Sequence, residues 1–353
     1  MKKICAFLFC ILMLTGPLAG CLGGDDDEEV PLWQLSRQDT WYYAASIHAD
    51  LRPEGTPQWA RDIWDNIVNI DPNAPMEYRP FWAMKSGGQT PLTPAFYDEI
   101  RERTAAGYRV IYTYKGGSQS PEPEDVVDVA ALRADVEMMA ALDALPWGIG
   151  LWNEIEFGGS GTAQELQQFS DKMTSVALPS ELAALRQEFG VMISPPGLSS
   201  FSNVIQEGYG EVIGNLFAGI DGVFIKVHSY GHVEPRLWVD LDLKEEVRSA
   251  VAMPNAIVIL EETANAFVGE HEEPKPGVGD QEGADFMRAA MYAGMQSKIP
   301  TCHFLLYHAA GPSRHFNDIS DPVEGELRRE TANQVLWDVR RTGDINPPGA
   351  LDI

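Results

Sequence analysis

The sequence predicts an α/β fold, a single-domain (β/α)8 TIM barrel, and three observations predict it. Eight short apolar, β-rich runs recur along the chain, and helical patterns lie between them. That order gives parallel strands joined by helical crossovers. The first run leads into HADLRPEG at 48–55, not into the Gly-rich loop that follows the first strand of a doubly wound open sheet. The chain's 353 residues leave room for a closed barrel, which typically takes about 250.

The runs read as strands are Trp41–His48, Glu77–Met84, Tyr108–Tyr114, Trp147–Asn153, Val191–Pro195, Gly222–His228, Ala256–Glu262 and Thr301–His308. Thr56 and Thr93 each precede a proline that opens a helical pattern, as an N-cap before an N1 proline would. The second of these patterns closes at Gly107. Further helical stretches are Asp125–Leu145, Ala163–Phe189, Asn203–Phe217, Arg236–Ala252, Gly283–Ile299 and Gly325–Arg341. No linker interrupts 33–345, so the barrel is one domain, and 346–353 (NPPGALDI) is a surface tail.

Ahead of the barrel, Lys2 and Lys3 precede an apolar run from Ile4 to Leu18. Residues 1–20 read as a secretory signal peptide, too short to favour a spanning helix. Leu18-Ala19-Gly20-Cys21 resembles a lipoprotein signal box. The resemblance implies cleavage before Cys21, lipid on that cysteine, and a protein exported and anchored to the outer face of the cell membrane. The plainer reading is a signal peptide with an incidental cysteine. Residues 21–32 carry LGGDDDEE, an acidic tether with little to pack. Cys5 and Cys10 would leave with the signal. Cys302 alone remains in the barrel, as a buried filler with no disulfide partner.

The formal charge of -26 argues against binding nucleic acid through its phosphates. It disfavours anionic polysaccharides less strongly, because a local cleft can differ from the whole surface. A saline habitat would also account for the acidity.

Two stretches carry the chemistry. WGIGLWNEIEF, Trp147 to Phe157, is an apolar run that ends in Trp152, Asn153 and Glu154. AIVILEETANAF, Ala256 to Phe267, ends in Glu261 and Glu262. A carboxylate is costly to bury unless something uses it. Two strand ends that each deliver one suggest a general acid/base and a nucleophile. In a barrel of this kind, function gathers at the carboxyl ends of the strands. Those ends also carry Trp82, Tyr114, His228, Tyr230, Tyr307 and His308. Aromatic faces there would stack on sugar rings.

On Trp152-Asn153-Glu154, His228-Ser229-Tyr230 and Leu260-Glu261-Glu262-Thr263-Ala264, the chain resembles the retaining (β/α)8 glycoside hydrolases of clan A. These include cellulases, mannanases and β-galactosidases. The resemblance implies Glu154 as acid/base and Asn153 as donor to the sugar 2-hydroxyl. It implies Arg79 and Tyr230 as supports of the nucleophile and His228 as lining of the cleft. The family places the nucleophile just before Thr-Gly or Thr-Ala, which selects Glu262 and leaves Glu261 as the alternative. Strand alternation then puts Val258, Leu260 and Glu262 on one face. Ile257, Ile259 and Glu261 take the other, so Glu261 faces the helix layer or bends to the rim. The chain departs from the family at Ile155, where proline is usual, and at Tyr307-His308, where many members carry tryptophan. Lys226 shares the His228 face, where its plain reading is an ion pair inside the barrel.

Seven scattered histidines do not make a zinc cluster. No P-loop lysine or Gly-x-Ser-x-Gly elbow is present. The expectation is a retaining β-glycosidase without metal or cofactor, acting on a neutral oligo- or polysaccharide. The alternative is an inert carbohydrate-binding lipoprotein.

Overall fold

The computed structural model describes residues 46–50, 58, 61, 65, 70, 72–85, 92–114, 128–151, 163–175, 177–197, 209–230, 242–264, 294 and 297–304. At 47–50, 85, 163–166, 169, 209, 229–230, 262–264 and 303–304 it describes the backbone alone. All of these residues belong to one compact unit, Leu32–Ile353.

Eight strands follow in chain order: β1 (Ser46–Asp50), β2 (Phe81–Lys85), β3 (Arg109–Tyr114), β4 (Gly148–Leu151), β5 (Met192–Ser194), β6 (Phe224–Tyr230), β7 (Ile257–Ala264) and β8 (Thr301–Phe304). Their order in the sheet is β5-β4-β3-β2-β1-β8-β7-β6, and every pair is parallel. The two outer strands meet where Ile193 bridges Val223, and the Ile193 N–H donates to the Gly222 carbonyl at 3.1 Å. The sheet is therefore a closed barrel, as the sequence predicts.

The element bounds differ from expectation for local reasons. The second strand begins at Phe81, not Glu77, because a 3-10 turn occupies Met76–Tyr78 and Pro80 brings no N–H to a ladder. The helical pattern after Thr93 is α1 (Pro94–Ala106), closed by Gly107 at φ 105°. Helix α2 (Val129–Ala141) begins later than predicted, at Asp128, whose carboxylate accepts from the N–H groups of Ala130 and Ala131. The single stretch expected over Ala163–Phe189 is two helices, α3 (Ala163–Ser175) and α4 (Leu178–Phe189). Ala177 between them takes φ 59°, which no α-helix accommodates, and Pro179 stands in the first turn of α4. Helices α5 (Tyr209–Phe217) and α6 (Leu243–Ala250) follow, and residues 58, 61, 65, 294 and 297 are helical as well.

Alternation along the strands sorts the core into two layers. Phe81, Ala83, Ile111, Phe224, Ile259 and Cys302 point into the barrel with Trp147, Met192 and Ile257. Their neighbours Trp82, Val110, Tyr112, Tyr114, Ile225, Val227, Val258 and Leu260 point outward and pack with helix residues such as Ile100, Val136 and Leu185. All six residues of β3 are buried, as expected of a parallel strand covered on both faces. At the amino end, the Arg109 guanidinium stacks over Phe81 at 4.0 Å and donates from Nε to the Arg79 carbonyl at 2.9 Å.

Candidate active site

The carboxyl half of the barrel interior holds a polar cluster set into the apolar layer. Lys226 and His228 come from β6, Glu261 from β7 and Thr113 from β3, and all four are fully buried. Lys226 Nζ lies 3.0 Å from Glu261 Oε2 and donates to Thr113 Oγ1 at 2.9 Å. The Thr113 hydroxyl donates to Glu261 Oε1 at 3.2 Å. His228 Nε2 stands 3.2 Å from Glu261 Oε2. Two opposite charges out of water persist together because each satisfies the other and the Thr113 hydroxyl bonds to both. The ion pair read from Lys226 in the sequence is present, and its partner is Glu261. Thr113 escaped the sequence reading, although its inward parity with Ile111 was the available signal.

A bulge in β7 positions this cluster. Val227 pairs with Leu260, yet the next residue of β6, His228, pairs with Glu262. Against β8 the same extra residue shows between Leu260 and Thr263. Glu261 and Glu262 thus stand opposite a single partner, the pattern of one inserted residue that re-aims a strand end. Strict alternation holds from Ile257 to Glu261 and stops there. The expectation that Glu261 faces the helix layer or bends to the rim is corrected: it lies on the inward face with Ile257 and Ile259. The grouping of Glu262 with Val258 and Leu260 is corrected in register, since Glu262 takes the position opposite inward-facing His228.

Three other expected site residues are also corrected. Arg79 precedes β2 at the amino end of the barrel, the opposite end from Glu261 and the backbone of Glu262. Its Nε donates to the Ala74 carbonyl at 2.8 Å and its Nη2 to the Pro72 carbonyl at 2.9 Å, so it pins a loop. Trp82 has the outward parity on β2. It packs edge-on to Tyr108 under the Arg103 guanidinium, which lies 5.0 Å from its ring, and Asp65 holds that arginine at 2.8 Å. Tyr114 is outward on β3 and sits edge-on to Tyr112. Burial, and then the charges of Asp135 and Asp128 at helix α2, push its phenol up to about 12. None of the three reaches the barrel interior.

The backbone of Tyr230 and Glu262 lies at the carboxyl ends of β6 and β7. Their side chains are outside the described set, as are Cys21, Trp152, Asn153, Glu154, Tyr307 and His308 entirely. Cys302 is a free, buried thiol, pushed well up by burial and by the Glu261 charge, which suits the filler role expected of it. Among the described residues no group of three or more His, Cys, Asp or Glu could hold a metal ion. A cleft of about 440 Å³ lined by Phe217, Asp221, Val223, Met253 and Ile257 opens at the amino end, where such barrels invest in stability.

No family model matches the chain, and no curated protein sequence does either. Solved structures of similar fold exist. A family 51 α-L-arabinofuranosidase from Bifidobacterium longum aligns with a TM-score of 0.52 at 10% identity, over 85% of this chain and 72% of that one. A glucosidase from Croceicoccus marinus gives 0.51 at 16% identity, over 86% of this chain and 62% of its own length. A broad-specificity GH5-4 endoglucanase from Clostridium longisporum gives 0.50 at 9% identity, over 86% of this chain and 98% of its own. At these identities the likeness is one of fold, and the fold they share is the α/β barrel described above.

Proposed function

We propose that this protein is a retaining glycoside hydrolase acting on a β-linked, neutral oligo- or polysaccharide. The observation that carries the reading is the β7 bulge, whose register puts Glu262 opposite His228 at the carboxyl end of a closed parallel barrel. Fold alone hosts many chemistries, so the argument rests on that strand end and on the Trp152-Asn153-Glu154 run that follows β4. The three solved barrels of similar fold, named as an arabinofuranosidase, a glucosidase and an endoglucanase, support a glycosidic substrate class without choosing the sugar.

In this reading Glu154 protonates the glycosidic oxygen while Glu262 attacks the anomeric carbon and forms the glycosyl-enzyme. Glu154 then takes a proton from water, which attacks the same carbon and frees Glu262. His228 and Tyr230 line the cleft, Asn153 donates to the 2-hydroxyl, and Trp152, Tyr307 and His308 contact the sugar. Cys21 carries the lipid that holds the exported protein to the membrane.

The test is hydrolysis by the full chain, purified in detergent, of a panel of aryl β-glycosides and neutral glucans and mannans. Release of product with retained β-configuration supports the reading. Glycan binding without turnover would favour the inert binding protein.

A further inference from the structure

Glu261 lies one residue from the proposed nucleophile, and its pair with Lys226 takes no part in the chemistry above. Glu261 has the composition of a catalytic acid and the surroundings of a structural one. It is fully buried, and both of its oxygens are engaged: Oε1 by Thr113, Oε2 by Lys226 and His228. A carboxylate so engaged would have to abandon a buried ammonium in order to attack carbon, and neither charge is stable there alone.

We propose that Glu261 is a positioning residue that fixes the tautomer of His228. The inference rests on the glycosidase reading for its consequence in turnover, though not for the tautomer itself. An ionised carboxylate only accepts hydrogen bonds. Lys226 at 3.0 Å keeps Glu261 ionised, so the hydrogen between His228 Nε2 and Glu261 Oε2 belongs to the imidazole. Lys226 already matches the carboxylate's charge, and Thr113 is neutral. The imidazole therefore enters the network as the Nε2–H donor, and in its neutral form its Nδ1 is the acceptor. The network is rigid on its far side as well. A Cβ at Gly150 would stand 2.8 Å from Lys226 Nζ and 3.2 Å from Thr113 Oγ1, so β4 keeps the space in which the ammonium sits. The bulge gives the division of labour: Glu261 holds the histidine, and Glu262, opposite His228 in register, is the residue proposed to attack the sugar.

The experiment uses full-length protein carrying 15N-histidine, with His228→Gln to assign the ring and long-range proton–nitrogen NMR to read its tautomer. The parent should show the Nε2–H form. In Glu261→Gln the amide offers both an acceptor and a donor, so the Nε2–H lock should be lost. A parent ring protonated at Nδ1, or at both nitrogens, overturns the proposal, and so does a tautomer unchanged in Glu261→Gln. A second arm uses a 2-fluoroglycoside trap and fragment mass spectrometry. The label should fall on Glu262 in both proteins, and kcat of Glu261→Gln should drop roughly ten- to a hundredfold, as when a group that orients a working ligand is lost. A label on Glu261 overturns the proposal. If no form cleaves any glycoside, the function above fails, while the NMR arm still decides the tautomer.

Discussion

Gly150 of β4 and Lys226 of β6 share one space across the barrel. A Cβ on the glycine would stand 2.8 Å from both Cε and Nζ of the lysine. The end of a lysine side chain usually gives way at little expense. This one is held by Glu261 and Thr113 inside a packed interior. Gly150→Ala should therefore lower stability by about 1–3 kcal/mol, the usual range for overpacking. Urea denaturation at neutral pH measures it, and an unchanged midpoint would show that the lysine has room to move. Gly148, one turn of the pleat earlier, faces Phe224 Cε1 at 2.7 Å in the same way, so two β4 glycines match two large β6 residues.

Lys226→Met keeps most of the length of the side chain and removes its charge. Glu261 would then be a buried carboxylate without its cation, a state that typically costs about 3–5 kcal/mol. The double variant Lys226→Met/Glu261→Gln has no charge to strand and should recover most of that loss. Denaturation of the parent, both single variants and the double variant gives the coupling directly. A double variant whose loss equals the sum of the two single losses would mean that the two side chains contribute independently.

Tyr114 gives the barrel a dependence on high pH. Burial, then Asp135 and Asp128, raise its phenol from an ordinary 10.0 to about 12. Between those values the folded chain keeps a proton that the unfolded chain has lost. The contribution is therefore complete below pH 10 and is lost as pH rises towards 12. Tyr114→Phe removes the group, so stability measured from pH 9 to 12 should fall less steeply than in the parent. Equal slopes would place the phenol in contact with solvent.

Much of this fold was legible because barrel strands are buried on both faces and stand out as apolar runs between helical patterns. The face each residue takes was harder to read. Trp82 and Tyr114 look like rim aromatics from their place near strand ends, and only the parity set by Phe81 and Ile111 sends them outward. Arg79 reads as a strand residue because nothing in Glu77–Pro80 announces the 3-10 turn that holds it outside β2. Glu261 was misread for a different reason. Alternation is a reliable rule until a residue is inserted, and a bulge has no composition of its own. Its sign here is pairing with two neighbouring strands, which a single sequence does not display.

Anchoring rests on Leu18 to Cys21. Cys21→Ser removes the thiol to which a lipid would be joined. The variant should leave the membrane fraction, or accumulate unprocessed, in detergent phase separation of producing cells. Parent-like partition into the detergent phase would return residues 1–20 to a plain signal peptide or an uncleaved anchor. The activity should be the same in both proteins, since none of the residues proposed for the chemistry lies in 1–32.

The roles of the acids are the most demanding expectation. If Glu154 gives and takes the proton and Glu262 forms the covalent bond, their carboxyl groups should stand about 5–5.5 Å apart in a crystal structure, and a separation near about 9 Å would indicate inversion. Glu154→Ala should still be glycosylated by substrates with acidic phenol leaving groups, which depart without a proton. Its deglycosylation should be slow, and azide should restore turnover by attacking the glycosyl-enzyme to give a β-glycosyl azide. Glu262→Ala has no nucleophile and should lose roughly ten-thousandfold in kcat, about 5 kcal/mol of barrier. Azide entering the space left by its carboxylate should give the α-glycosyl azide. The two azide products differ in configuration because the reagent enters from opposite faces of the sugar, so proton NMR of the product assigns each acid without reference to rate. An α-azide from Glu154→Ala would exchange the roles. Parent-like turnover in both variants would remove both residues from the chemistry.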